Sequence, residues 1–471
     1  MLNCGRRYPP VNRPRVGLLI ASAVVLGITA CTEPGPSHEA STHPTAGGDV
    51  VPGPGAPVDP SAMAHLDCVD GEPIAQTLSS GATWSMCWQV DPKRGLIFTD
   101  VHFAPVEHEP ISIMASLSLA QLEVPYDSGD RLTSDITSAG FGGRRMHTLT
   151  ETECLGERIA YPVPDIGDGS FGETPMREVL CSEVKDSGLA YRSRDGGRLT
   201  VARQTSWQLS AISKVGWYEY VNEYTFGADG SIRPSLGATG DVSPVDYTDE
   251  EHGWAIGHGD SHHAASHSHN AVWRVHWALG GRGGQAVEQF DAEPTGEMGP
   301  ESPIVRGELT ALERPTTARW VDRRWWRVLA PRVLNDDEHP ISYQINVEAT
   351  DSFTFVHDEH RHGEDGGYDV AFTNHDECEV FATANRGACG AGVLDYVADS
   401  ADERLDDVVS WVAVGFHHVV RDEDQSPMGM HWQGFSLTPR DLTAQRPDIP
   451  EWRRDVNGQP DEWDEWDELE D

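Results

Sequence analysis

Histidine carries the clearest chemical signal in this chain of 471 residues. After Glu251 the sequence places His252, His258, His262, His263, His267, His269 and His276 within a short span. Most of that span also holds Gly, Ser and Asp, so it reads as loop. His267-Ser268-His269 is different, because it opens an apolar alternation that continues through Trp273. On a strand, residues i and i+2 point to one face, so two imidazoles at this spacing share a side. A third imidazole completes a metal site if another segment delivers it. Phe416-His417-His418-Val419, at the end of a second strongly β segment, offers one. Imidazole ligands suit copper, zinc or nickel, and spacing alone does not choose between them.

The elements that must position these residues are strands. From about 66 to 446, short alternating apolar runs are separated by Gly, Asp, Asn and Pro. Tyr218-Glu219-Tyr220-Val221, Ala271-Val272-Trp273-Arg274-Val275 and Val408-Val409-Ser410-Trp411-Val412 show the pattern. Period-two alternation rich in Val, Trp, Tyr and Phe predicts strands, and no long 3.6-residue periodicity competes. The expected class is all-β, a large antiparallel β-sandwich.

The ends of the chain set its expected location. Arg6, Arg7, Arg13 and Arg15 precede an apolar run over 16–28, with no acidic residue in the first thirty. That is the make-up of a secretory signal, and it is short for a membrane-spanning helix. Leu26-Gly27-Ile28-Thr29-Ala30-Cys31 resembles a lipobox. The resemblance implies cleavage before Cys31 and acylation of that cysteine, hence an extracytoplasmic protein lipid-anchored to the cell membrane. Residues 1–30 are then the signal peptide, and 31–66 a Pro/Gly/Ser-rich tether too polar to pack a core. Residues 67–450 form the folded domain. An acidic tail, 451–471, carries Trp463 and Trp466 and reads as solvated chain.

The formal charge is −41, or −45 once the four signal arginines are lost. Such a surplus argues against nucleic acid and anionic membrane surfaces as partners; it reads first as a device for solubility and second as a mild attraction for cationic ligands. Apart from Cys4 and Cys31 there are six cysteines: Cys68, Cys87, Cys154, Cys181, Cys378 and Cys389. In an exported chain an even set predicts three disulfides. Order alone allows fifteen connectivities, and pairing nearest neighbours is the simplest.

Several ordered segments between about 94 and 450 resemble the catalytic domain of the copper-containing, topaquinone-dependent amine oxidases. They are Val124-Pro125-Tyr126, the run from Asp135 to Gly142, Cys154-Leu155-Gly156-Glu157, Lys214-Val215-Gly216-Trp217-Tyr218-Glu219-Tyr220, His267-Ser268-His269, the stretch from Trp411 through His418 to Asp424, and Gly434-Phe435-Ser436-Leu437-Thr438-Pro439. The resemblance implies copper on His267, His269 and His418, and topaquinone formed from Tyr218 by that copper and dioxygen. It assigns Asp135 as the general base that takes the substrate's α-proton, and Tyr126 as a hydrogen-bond partner of a quinone oxygen. It pairs Cys154 with Cys181; nearest-neighbour pairing adds Cys378 with Cys389 and Cys68 with Cys87. The implied activity is oxidation of a small primary amine to an aldehyde, with dioxygen reduced to hydrogen peroxide and ammonia released. The family is dimeric, so a homodimer is expected.

The chain also departs from the family pattern. Trp217 stands where the motif has Asn, and Lys214 where Thr is usual. The bulk of Trp217 predicts a differently shaped slot for the ring of residue 218. Ser138-Ala139 replaces Glu-Tyr after the base, and Thr133 replaces a tyrosine that often gates the substrate channel. His276 and Ala278 occupy positions of aspartates that help hold a structural calcium, although Asp407 remains; calcium is therefore expected to be weak or absent. The rival functional reading is a catalytically impaired copper-binding or scaffold lipoprotein of the same fold.

Overall fold

The computed structural model describes residues 63–449, apart from 168, 196–197, 260–261 and 348–366. The signal peptide, Cys31, nearly all of the tether and the acidic tail lie outside the described residues. Within them, every strand-to-strand ladder is antiparallel, and a single isolated bridge, Thr248 to His263, is parallel.

Two large sheets make the fold. The nine-stranded sheet starts as a meander of Glu72–Thr77, Thr83–Asp91, Gly95–Ala104 and Ile111–Pro125, with the short strand Leu132–Ser134 on the last of these. It continues through His267–Trp277, Val408–His418, Val370–Asn374 and Thr316–Ala318. The eleven-stranded sheet has Tyr218–Gly227 near its middle, between Arg198–Val215 and Ile232–Gly240; Met428–Gly434 adds to the latter. One apolar core lies between the sheets. Trp84 of the first sheet packs on Phe226 of the second at 5.1 Å between rings, and its indole N–H donates to the Gly227 carbonyl (2.8 Å). Trp277 meets Tyr343 across the same gap at 5.8 Å. Aromatic rings of this size fill the roughly 10 Å between packed sheets.

Alternation is visible where a strand has one wet face. In Tyr218–Gly227 the residues Tyr218, Tyr220, Asn222, Tyr224 and Phe226 point inward and the residues between them are half-exposed. His267–Trp277 is buried along its whole length. Its inner face carries His267, His269, Ala271, Trp273 and Val275. Its outer face carries Val272, which joins a second apolar cluster with Tyr368, Trp411 and the helix Val393–Asp399. A central strand covered on both sides holds its side chains in fixed positions, which suits a site that must be precise.

Three disulfides close: Cys68–Cys87, Cys154–Cys181 and Cys378–Cys389.

Candidate active site

The inner faces of the two sheets meet at one end of the sandwich around the hydroxyl of Tyr218. His267 stands directly opposite His418 in the strand register, and both turn inward. His417 therefore points outward, where its Nε2 bonds the Asp127 carboxylate at 3.0 Å. His269 is next to His267 on the same inner face, as period two requires.

Each of the three imidazoles has one nitrogen committed to the protein. The Nδ1–H of His267 donates to the Ala265 carbonyl (3.0 Å). His418 donates from Nε2 to Asp424 (3.0 Å). The Nδ1 of His269 lies 3.3 Å from the Tyr220 hydroxyl, which itself donates to Asp135. Those bonds set the tautomers and leave the second nitrogens free to act as ligands. The Nε2 of His267 and the Nδ1 of His418 are 2.7 and 3.3 Å from the Tyr218 oxygen. The Nε2 of His269 is buried and makes no hydrogen bond. One nitrogen from each ring lies within 4.8 Å of the others.

Electrostatics favour the neutral, ligating form. Burial, helped by the neighbouring His418, pushes His267 down to about 3. Burial also holds His269 well below its ordinary value, and His418 below its own despite the Asp424 bond. Neutral imidazoles present lone pairs, and a buried nitrogen with no hydrogen-bond partner is suited to bind a metal. The three-nitrogen donor set fits copper.

Tyr218 follows a two-residue turn, Gly216-Trp217, which closes the hairpin between Arg198–Val215 and Tyr218–Gly227. Gly216 adopts φ +62°, a conformation that glycine takes without strain. Trp217 is 44% exposed whereas Tyr218 is 5% exposed. The indole thus spends much of its bulk in solvent rather than filling the slot of the tyrosine ring, contrary to the expectation from its size. Lys214 is cross-strand from Glu219 and pairs with it on the outer face (2.8 Å). It therefore stands clear of the buried ring.

Asp135 opens a single helical turn, Asp135–Ser138, directly after the strand Leu132–Ser134. Burial pushes its carboxyl up to about 6, against hydrogen bonds from Thr133 and Tyr220 and the charges of Arg131 and Arg145. Thr133 thus holds the carboxylate. Tyr126 bridges backbone to His267 and stacks on its ring at 4.9 Å, and the Arg131 guanidinium lies 4.4 Å from the centre of the Tyr126 ring.

Sequence reasoning selected these residues but assigned no role to Tyr220. It lies two positions after Tyr218 and must share its face, so the period-two rule contained the signal. Through its hydroxyl, Asp135 and His269 belong to one hydrogen-bonded chain.

At the far end of the same strand, His276 faces outward. Its Nε2 is 2.7 Å from Asp407, and its ring stacks on His375 at 4.1 Å. Arg274 donates to His375 (2.7 Å). With Asp407 already engaged and a guanidinium nearby, this place does not fit calcium, which needs six or more oxygen ligands.

The profile described as copper amine oxidase, enzyme domain, matches residues 76–453. Histamine oxidase of Arthrobacter globiformis is 26% identical over 398 residues, which cover 79% of this chain and 56% of that protein. Primary amine oxidase 2 of Arabidopsis thaliana is 23% identical over 407 residues, covering 78% and 58%. The chain thus spans a little over half the length of these curated relatives. Among solved structures, a copper-containing benzylamine oxidase from Hansenula polymorpha superposes with a TM-score of 0.67 at 21% identity, over 85% of this chain and 67% of that one.

Proposed function

The chain belongs to the copper amine oxidase family, and from that premise we propose that it oxidises a small primary amine to an aldehyde, reducing dioxygen to hydrogen peroxide and releasing ammonia. The family uses copper and a quinone derived from a tyrosine. The observation that carries the reading is the convergence of three neutral, buried imidazoles, two of them on the Tyr218 hydroxyl. His267, His269 and His418 would hold the copper. A quinone made from Tyr218 would supply the electrophilic carbonyl and the two-electron sink that no unmodified side chain provides.

The chain's own residues account for the rest. Asp135 takes the α-proton of the bound amine. A carboxyl raised to about 6 is largely ionised at neutral pH, yet is more basic than an ordinary aspartate. Thr133 and Tyr220 fix its orientation. Tyr126, whose ring touches both Arg131 and His267, would offer its hydroxyl to a quinone oxygen. The inward packing of both sheets keeps bulk water from these groups.

The test is a quinone redox-cycling stain together with amine-dependent peroxide release, on full-length protein loaded with copper and incubated in air. Staining and peroxide in the wild type, with neither in Tyr218→Phe, are expected. Copper binding with no stain and an unmodified Tyr218 by peptide mass spectrometry would leave the copper-binding scaffold in place of the enzyme.

We also propose export and lipid anchoring through Cys31, on the strength of the basic, apolar and lipobox-like segments alone. Release of Cys31→Ala from washed membranes is the expected result. Homodimerisation is proposed from the family; its check is the mass in solution.

A further inference from the structure

The triad does not exhaust the metal-binding groups around His418. Its Nε2 leans on Asp424, a buried residue of the short turn Asp422–Asp424. The Oδ2 of Asp424 takes that bond and the backbone N–H of Arg421 (3.1 Å). Its Oδ1 makes no hydrogen bond. Facing it at 3.4 Å is the Nε2 of His431, which is buried and makes none either. His431 sits on Met428–Gly434 opposite Ala238. Its ring stacks on Phe416 at 5.2 Å and lies 4.6 Å from the ring of His418. One ligand atom from each of His418, Asp424 and His431 falls within 4.8 Å of the other two.

Two buried polar atoms that face one another without a hydrogen bond need a physical account. The gap supplies it. Two ligands at about 2.0–2.1 Å from a tetrahedral ion lie roughly 3.3–3.4 Å apart, which matches the separation of His431 Nε2 and Asp424 Oδ1.

We propose that His431 and Asp424, with the Nε2 of His418, form a second metal site for a zinc-like divalent cation, joined to the triad through the ring of His418. The sharing of His418 rests on the proposed copper triad; the His431–Asp424 pair does not. Two nitrogens and one carboxylate oxygen favour zinc over calcium or magnesium. Filling the site replaces the Nε2 proton of His418 by the ion, and that proton leaves to solvent. Arg421, whose Nε lies 3.6 Å from the same Oδ1, is 63% exposed and free to swing into water. A bridging ring is a stronger electron donor to the first metal than a neutral one, so the second ion tunes the first.

The experiment uses the full chain loaded with one equivalent of copper, freed of excess metal and titrated with zinc chloride. Metal content and the copper EPR spectrum are read together. The wild type is expected to hold one copper and one zinc, with a changed copper signal on zinc addition. In His431→Ala, zinc uptake should fall well below one per chain, with the copper retained and its signal unmoved. His431→Gln, which keeps a polar side chain there, should lose zinc to a similar degree and guards against misfolding as the cause. No zinc uptake by the wild type, zinc that only displaces copper, or equal uptake by the His431 variants would overturn the site. If copper fails to load, the triad reading fails separately, and zinc uptake that depends on His431 still decides the second site.

Discussion

The strand His267–Trp277 carries a candidate ligand pair at one end and a structural histidine at the other. His267, His269 and His276 are all buried, and burial lowers the basicity of all three. Neither property distinguishes them. The difference lies in where their nitrogens point. At the far end the Nε2 of His276 is satisfied by Asp407. At the near end the free nitrogens converge on each other and on a tyrosine hydroxyl, and that of His269 has no partner at all. A buried histidine is placed to be a ligand when its uncommitted nitrogen converges with those of its neighbours.

The largest expected effect attacks the near end. His269→Ala should drop bound copper well below one per chain and abolish turnover, because two remaining imidazoles do not complete the site. His276→Ala should leave the copper content and its EPR signal unchanged. Equal copper loss in both variants, measured by elemental analysis of folded protein, would erase the contrast drawn here.

Next in size is Asp135→Asn. Removing a general base costs about 10²–10⁴-fold in rate, with copper and the quinone stain retained. In the wild type, kcat/KM should rise with pH through about 6 and level off above it, because the carboxyl must be ionised to accept a proton. A profile with no inflection near that value would separate Asp135 from the rate-limiting proton transfer.

His276 should instead show itself in stability. Burial lowers its folded pKa to about 4, against the Asp407 bond, while the unfolded side chain titrates near 6.5. Between these values the unfolded state binds the extra proton. Its contribution is therefore complete above 6.5 and is lost as the pH falls toward 4. Denaturant titrations should find that part of the acid destabilisation missing in His276→Gln. Calcium should not raise the melting temperature of the wild type.

The smallest effect belongs to Trp217→Asn. With much of the indole in solvent, the substitution should change kcat on simple amines by less than about tenfold, a scale set by small shifts in ring placement. A larger gain would mean that the indole constrains the ring of residue 218 after all.

How much of this was readable beforehand follows from periodicity. His267-Ser268-His269 on a β alternation put two imidazoles on one face, and the structure pairs that strand with the one that ends in His418. Between His417 and His418 the ordered family motif decided, and the inward turn of His418 agrees. The sandwich was readable from the same alternation. The cover on its outer face was not, because the helix Val393–Asp399 is only seven residues long and leaves little 3.6-residue signal. Thr133 looked like a missing gate, yet it steadies the carboxylate of Asp135. His431 left no trace, since a single histidine on an added strand has no spacing to read. Its meaning depends on Asp424, which the tertiary fold brings near.

The pairing of His267 with His418 also orders events in time. It joins positions about 150 residues apart, and such long-range pairings close late, after the loop entropy between them has been overcome. A fragment that ends before residue 418 therefore cannot assemble the triad. On the proposed reading, a complete copper site forms only once that pairing has closed, and oxidation of Tyr218 would follow it. Maturation would then be set by the copper and oxygen present where the chain finishes folding.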